Sequence, residues 1–455
     1  MRRLRLEHAW LAEGWTPAIG LDVAPDGTIL RVIRDAARDG RETIAGCVLP
    51  GMPNLHSHGF QRAMAALAQR RRISAEDFWS WRGVMYRTAL ALSPEDVAAI
   101  TAMAYAEMLE AGFTAVAEFH YLHHDVSGTP YADPAELAAR IAEAATETGI
   151  GLTLLPVLYS AAGIGCPPRP EQRRFVTDRE SYLRLHDAAR TMLAKTLPDA
   201  AIGASPHSLR AARPDDVAAI AALIPDGPIH IHAAEQTAEI AEVEASLGRR
   251  PVDWLLDEAG IGPRWCLIHA THMTPAESAR LAASGAVAGL CPVTEADLGD
   301  GIVDAAGFVG AGGRYGVGSD SNIAISAPAE LRQLEWSQRL NRRQRLVLAD
   351  PAHDSGSTGA ALYRAALAGG AQALGQKIGA IAEGCRADLV SLRRTDTDLA
   401  ALPPGRWLDH YILAGGVGLI DSVHVAGACL VRNGRHRRRA AIQARFAETL
   451  RRIAA

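Results

Sequence analysis

The sequence predicts an α/β fold: a (β/α)8 TIM barrel with a small β-sandwich domain formed from the N- and C-terminal segments. Two observations carry the prediction. Eight short apolar runs alternate with helix-like segments through the middle of the chain, and β patterns of another kind occupy both ends. The rival is an open, doubly wound sheet. No glycine-rich dinucleotide or P-loop fingerprint follows any run, which weakens it.

The runs are Cys47–Leu55, Thr114–Phe119, Gly151–Tyr159, Ala201–Ala204, Pro228–Ile231, Trp265–Ile268, Ala286–Cys291 and Arg314–Gly318. Short runs bounded by turn residues suit parallel strands buried on both faces. The helices between them carry start signals. Ser93-Pro94-Glu95-Asp96, Asp133-Pro134-Ala135-Glu136 and Thr274-Pro275-Ala276-Glu277 each place a capping side chain before proline and an acid in the first turn. Stops fall at Gly112, Gly149 and Gly285. The Ala and Leu stripe between residues 97 and 109 is expected in the core. Residues 1–46, around the turn Asp26-Gly27, and residues 380–432 carry short alternating patterns and pair as the sandwich. Residues 47–379 form the barrel and 433–455 a terminal helix, with Arg435-His436-Arg437-Arg438-Arg439 as its solvated start.

Bulk properties narrow the function. With 22% charged residues and a net charge of -4, the chain lacks the basic face that nucleic acid requires. Six scattered cysteines without a CxxC pair read as free thiols in a reducing compartment. No segment is apolar and long enough for a membrane helix, and the N-terminus reads as a strand rather than a signal peptide. A cytoplasmic protein without nucleic-acid or membrane partners is expected.

The chemistry gathers at the C-terminal ends of the strands, where barrel active sites lie. The first run ends in His56-Ser57-His58, whose two imidazoles point the same way on an extended chain. The fifth ends in His230-Ile231-His232-Ala233-Ala234-Glu235, the sixth in His269-Ala270-Thr271-His272, and the eighth in Gly318-Ser319-Asp320-Ser321. One histidine at a strand end is usually structural. Their joint occurrence on four strands is not, and it reads as a divalent metal site with His56, His58, His232 and Asp320 as ligands. Zinc suits these donors, and iron shares them. His230 alternates with His232 and should face the other side of its strand. His272 is expected behind the ligands, and His120, His123 and His124 in packing or rim roles.

The pattern resembles the amidohydrolase superfamily, and the His-x-x-Glu of strand five resembles its mononuclear deaminase branch. That resemblance implies one metal, since the fourth run, Ala201–His207, offers no bridging lysine or carboxylate. Gly384-Cys385-Arg386-Ala387-Asp388-Leu389-Val390 is similar to the superfamily's closing β motif, with Cys385 at a variable position. Segments Leu49–Ala65, Ala115–His124, His207–Arg210, His230–Gln236, Trp265–His272 and Thr294–Ile302 are similar to the formimidoylglutamate deiminase family, which hydrolyses N-formimino-L-glutamate to N-formyl-L-glutamate and ammonia. Asp297, where that family is expected to carry asparagine, and the Pro-rich stretch at Cys166-Pro167-Pro168 are departures.

The resemblance implies roles. Asp320 accepts the proton of the attacking water, His269 orients that water, and Glu235 delivers a proton to departing ammonia. Gln61, Arg82, Tyr121, His207 and Arg210 bind the dicarboxylate substrate, with arginine forks matched to carboxylates. A homodimer is implied as well. Two alternatives remain open: a deaminase of the same superfamily acting on a purine, pyrimidine or triazine ring, and a non-catalytic barrel used for assembly or binding. Arginine, histidine and tyrosine near strands two to four favour a small anionic substrate over a ring.

Overall fold

The computed structural model describes residues 1–65, 67–69 and 78–454. The N-terminal patterns become four strands, β1 Arg2–Leu11, β2 Gly14–Val23, β3 Ile29–Ile33 and β4 Glu42–Pro50. β5, Met52–Ser57, follows at once and belongs to a different sheet. The apolar run Cys47–Leu55 is therefore not a single barrel strand, and this corrects the sequence expectation. The two halves pair with different partners, β4 with β1 and β5 with Phe113–Glu118, and Gly51 between them lies so close to Thr114 that a side chain there would overlap it.

The middle of the chain supplies β6 Phe113–His120, β7 Gly151–Leu158, β8 Ala201–Ile202, β9 Ser205–Pro206, β10 Ile229–Ala233, β11 Trp265–His269, β12 Val287–Leu290 and β13 Arg314–Val317. They pair in parallel as β5-β6-β7-β8, with β9 on β7, and as β10-β11-β12-β13. Isolated parallel bridges link the two sets on both flanks: Ala204 to Ile229 and Ser208 to His232 on one, Ser57 to Asp320 on the other. Helices alternate with the strands. The first two described are α1, Phe78–Ala91, and α2, Pro94–Glu110. α2 and the helix Pro275–Ser284 begin with the capping boxes expected from Ser93 and Thr274. The Asp133 signal behaves differently: its carboxylate accepts the Ala135 N–H in a turn, and the helix starts at Glu136 without a side-chain cap.

The C-terminal segment adds β14 Leu389–Leu392, β15 Ile420–Val425, β16 Ala428–Arg432 and β17 Arg435–His436. Both ends of the chain join in one sheet, β17-β16-β15-β14-β4-β1-β2-β3. Its far edge returns toward its own middle, because the Ile29 N–H donates to Cys385 O and the Gly384 N–H to Ile29 O. A separate apolar core including Leu4, Leu6, Ile19, Leu21, Val48 and Leu389 lies within it. The basic run at 435–439 is not simply a solvated helix start. Arg435 and His436 form β17, the His436 ring bonds Thr148 O, and Arg439 pairs with Glu110 on α2. The terminal helix is Arg439–Ala454. No helix among the described residues is long and apolar enough to cross a membrane.

Candidate active site

The strand ends converge as the alternation of side chains requires. His56 on β5 and His58 just beyond it place their Nε2 atoms 3.5 and 3.3 Å from Asp320 Oδ1. His232, on β10, brings its Nε2 within 3.2 Å of His56 Nε2. The Nδ1 atoms of His58 and His232 lie 3.0 Å from the carbonyls of Phe119 and His207. Each N–H therefore points outward and each Nε2 lone pair inward. Burial holds His56 and His232 well below the ordinary histidine range and His58 down at about 4. Neutral imidazole lone pairs facing one another beside a carboxylate repel unless a cation lies between them, and three nitrogens with one oxygen fit a divalent metal. One ring nitrogen from each of the three imidazoles lies within 4.8 Å of the other two.

The backbone at this rim is strained. Ala234, His269, Ala270 and Asp320 have φ of +52°, +68°, +50° and +44°, a region that costs a residue with a side chain about 1–3 kcal/mol. Cross-strand bonds hold it: Asp320 N–H to His56 O at 2.9 Å and His58 N–H to Asp320 O at 3.0 Å. Behind them Asn54, Ser319 and Asn322 form a buried network that ends on the His58 carbonyl.

Beside these three imidazoles and Asp320 stand the remaining ionisable groups. His269 Nε2 lies 3.8 Å from Asp320 Oδ2 and 3.7 Å from Glu235 Oε1, while its Nδ1 meets Glu295 Oε1 at 3.3 Å. Burial opposes its protonation, but the carboxylates of Glu235, Glu295 and Asp320 lift it to about 10. Burial pushes Asp320 up to about 7. Glu235 is also raised by burial, yet His269 and Arg210 outweigh this and hold it below its ordinary value. Arg210 Nη2 bonds Glu235 Oε2 at 2.6 Å, and its Nε is 3.5 Å from Glu239 Oε2. Glu239 in turn accepts the Ala234 and Glu235 N–H groups, which pins the strained turn.

Of the residues given metal, catalytic or substrate roles in the sequence, all except His56 line one cavity of about 50 Å³, and His56 packs behind it. The Gln61 amide donates to Tyr121 Oη at 2.7 Å, and Arg82 reaches in from α1. The remaining strand-end histidines bond elsewhere. His230 bonds Ala373 O, away from the cavity; His123 and His124 bond Val157 O and Val176 O; His120 is buried beside His123; His272 holds Asp300 O at 2.8 Å. Asp297 accepts from Gln69 on the exposed rim.

A model of the amidohydrolase family matches residues 47–418. The chain belongs to the amidohydrolase family. It is 50% identical over 96% of its length to the formimidoylglutamate deiminase of Pseudomonas aeruginosa, covering 96% of that protein. The crystal structure of an amidohydrolase from Brucella melitensis superposes with a TM-score of 0.94 at 45% identity over the whole of both chains. An adenosine deaminase of Xanthomonas campestris with bound zinc shares the fold, at 22% identity and a TM-score of 0.80 over 99% of this chain and 98% of that one.

Several residues of this amidohydrolase site escaped the sequence reading. Glu239 and Glu295 sit in helices that follow strands, where acids ordinarily serve the helix dipole. Nothing in their spacing reveals a grip on Arg210 or His269. Tyr159, at the end of the third run, was open to the same strand-end argument that found the histidines.

Proposed function

We propose that this amidohydrolase is a metal-dependent formimidoylglutamate deiminase, converting N-formimino-L-glutamate and water to N-formyl-L-glutamate and ammonia. The observation that carries the reading is the 50% identity to a formimidoylglutamate deiminase along 96% of both chains. The cavity supports it independently, since two arginines share its wall with the proposed metal donors and match a substrate with two carboxylates.

His56, His58, His232 and Asp320 hold the metal, with zinc the preferred ion. When bound, the cation supplies Lewis acidity that brings a water toward ionisation at neutral pH. Asp320 Oδ2 takes the proton of the attacking water. The His269 ring, anchored through Nδ1 on Glu295, turns its Nε2 toward the space between Asp320 and Glu235 and orients the nucleophile. Glu235, ionised beside Arg210, faces the same space through Oε1; it takes up the second proton of the attacking water and passes it to the departing nitrogen, while Asp320 returns the first, so that the nitrogen leaves as ammonia. Such acid–base groups contribute about 10²–10⁴-fold. Arg82 and Arg210 receive the carboxylates, helped by Gln61, Tyr121 and His207.

We read the parallel strands as one closed (β/α)8 barrel, supported by the bridges on both flanks, and the terminal sheet as a small sandwich, supported by its separate core. Ammonia release from N-formimino-L-glutamate, compared with guanine and cytosine and paired with metal analysis, tests the function. Release from a ring substrate with none from the amidine would refute it.

A further inference from the structure

We propose that Tyr159 and Gln172 are positioning residues that hold Arg82 as the clamp for the substrate's side-chain carboxylate, and thereby set selectivity for dicarboxylate amidines. The proposal rests on the formimidoylglutamate reading. The two arginines of the cavity are not equivalent. Arg210 already sits between Glu235 and Glu239, next to the reacting centre. Arg82, among the described residues, contacts neutral groups: its Nη2 donates to Tyr159 Oη at 2.8 Å, and its guanidinium lies over the rings of Tyr86 and Trp79 at 5.3 and 5.6 Å. Its field reaches Glu235 and His207, but among the described residues no carboxylate is bonded to it, so its remaining N–H groups face the cavity for an incoming anion.

Gln172 organises that arrangement. It is 1% exposed and closes the Pro-rich stretch after Cys166, in the short turn Pro170–Gln172. Its Oε1 accepts the Arg169 N–H at 2.8 Å, so the amide NH2 faces the other way. That NH2 donates to Tyr159 Oη at 2.7 Å and to Tyr86 Oη at 3.0 Å. One amide therefore fixes both the hydroxyl that grips the guanidinium and the ring on which it lies. A long arginine stem otherwise loses rotamer freedom on binding. With one side of the fork held in advance, its remaining N–H groups are presented to a carboxylate in a single geometry.

Three substitutions test this: Gln172→Leu, Tyr159→Phe and Arg82→Met. The substrates are N-formimino-L-glutamate and N-formimino-L-norvaline, which replaces the side-chain carboxylate by a methyl. Calorimetry with glutarate and butyrate gives a readout that does not depend on turnover. Gln172→Leu and Tyr159→Phe are expected to raise KM for the glutamate derivative about 10-fold, the scale of a weakened charge-assisted bond, with kcat nearly constant. The norvaline derivative should be hydrolysed as by the parent, and glutarate but not butyrate should bind about 10-fold more weakly. Adding Gln172→Leu to Arg82→Met should change nothing further, because the two act as a unit. Equal losses on both substrates, no loss on either, or additive losses overturn the clamp. A parent protein that binds glutarate selectively, with the substitutions weakening it, but releases no ammonia from formiminoglutamate sinks the deiminase reading while the clamp stands. Normal turnover with unchanged glutarate affinity in both variants sinks the clamp alone.

Discussion

Arg210 stands between two buried glutamates, and removing it leaves Glu239 without its counter-charge and Glu235 without its closest one. Breaking a buried pair in this way costs about 3–5 kcal/mol. Arg210→Met is therefore expected to lower the thermal midpoint as well as activity, read by calorimetry beside kinetics. Arg82 carries no such duty, so Arg82→Met should raise KM while leaving the midpoint nearly unchanged. An equal drop for both variants contradicts this division. Glu235→Gln keeps the shape of the site and the Arg210 contact on one oxygen, but removes the proton carrier. It should lose about 10²–10⁴-fold in kcat with metal content retained, as plasma emission would show; near-normal turnover removes Glu235 from the mechanism.

At the scale of elements, the N-terminus of α2 is the joint to test. Ser93 and Asp96 form its capping box, and Asp96 also bonds Arg452 and Thr449 of the terminal helix. Ser93→Ala should cost about 1 kcal/mol, and Asp96→Asn should also loosen the helix Arg439–Ala454, seen as faster amide exchange there. Burial raises the Asp96 carboxyl, but Arg452 and Ser93 prevail and hold it below its ordinary 3.8. An acid with a depressed folded pKa stabilises fully above its unfolded value and loses that contribution as pH falls. The midpoint difference between the parent and Asp96→Asn should thus be constant near neutrality and shrink below about pH 4. Element existence was readable because the caps and apolar runs are local signals. The split at Gly51 was not, since it depends on which strand each half pairs with, β14 for β4 and β6 for β5. The Asp133 turn and the β17 pairing of Arg435 and His436 likewise answer to partners that local pattern does not name. In the site, His56, His58, His232 and Asp320 could be found from position on a strand, whereas Gln172 and Glu295 act through contacts that only folding creates.

The whole molecule is tied together from below the site. Arg386 grips Asp388 through two bonds at 2.9 and 2.7 Å, reaches Gln376 at 3.0 Å, and lies where a side chain on Gly151, the first residue of β7, would have to go. Gly151→Val should therefore disturb the seat of the terminal sheet and reduce the yield of folded protein far from any metal donor. Removing the metal acts at the opposite face. A ligand that binds only the folded state stabilises it by mass action, so treatment with a chelator should abolish ammonia release and lower the thermal midpoint, and added Zn2+ should restore both. Unchanged activity in metal-free protein would refute the assignment of the four donors.

The shared terminal sheet also has a consequence for synthesis. β4 ends at Pro50 and pairs with β14, which begins at Leu389, so 389 - 50 = 339 residues must leave the ribosome before that edge is covered. At about 5–20 residues per second this takes about 17–70 s. Throughout that interval the nascent chain carries an apolar strand edge open to its neighbours on the polysome. An N-terminal fusion partner or a trigger-type chaperone would act on the segment that waits longest.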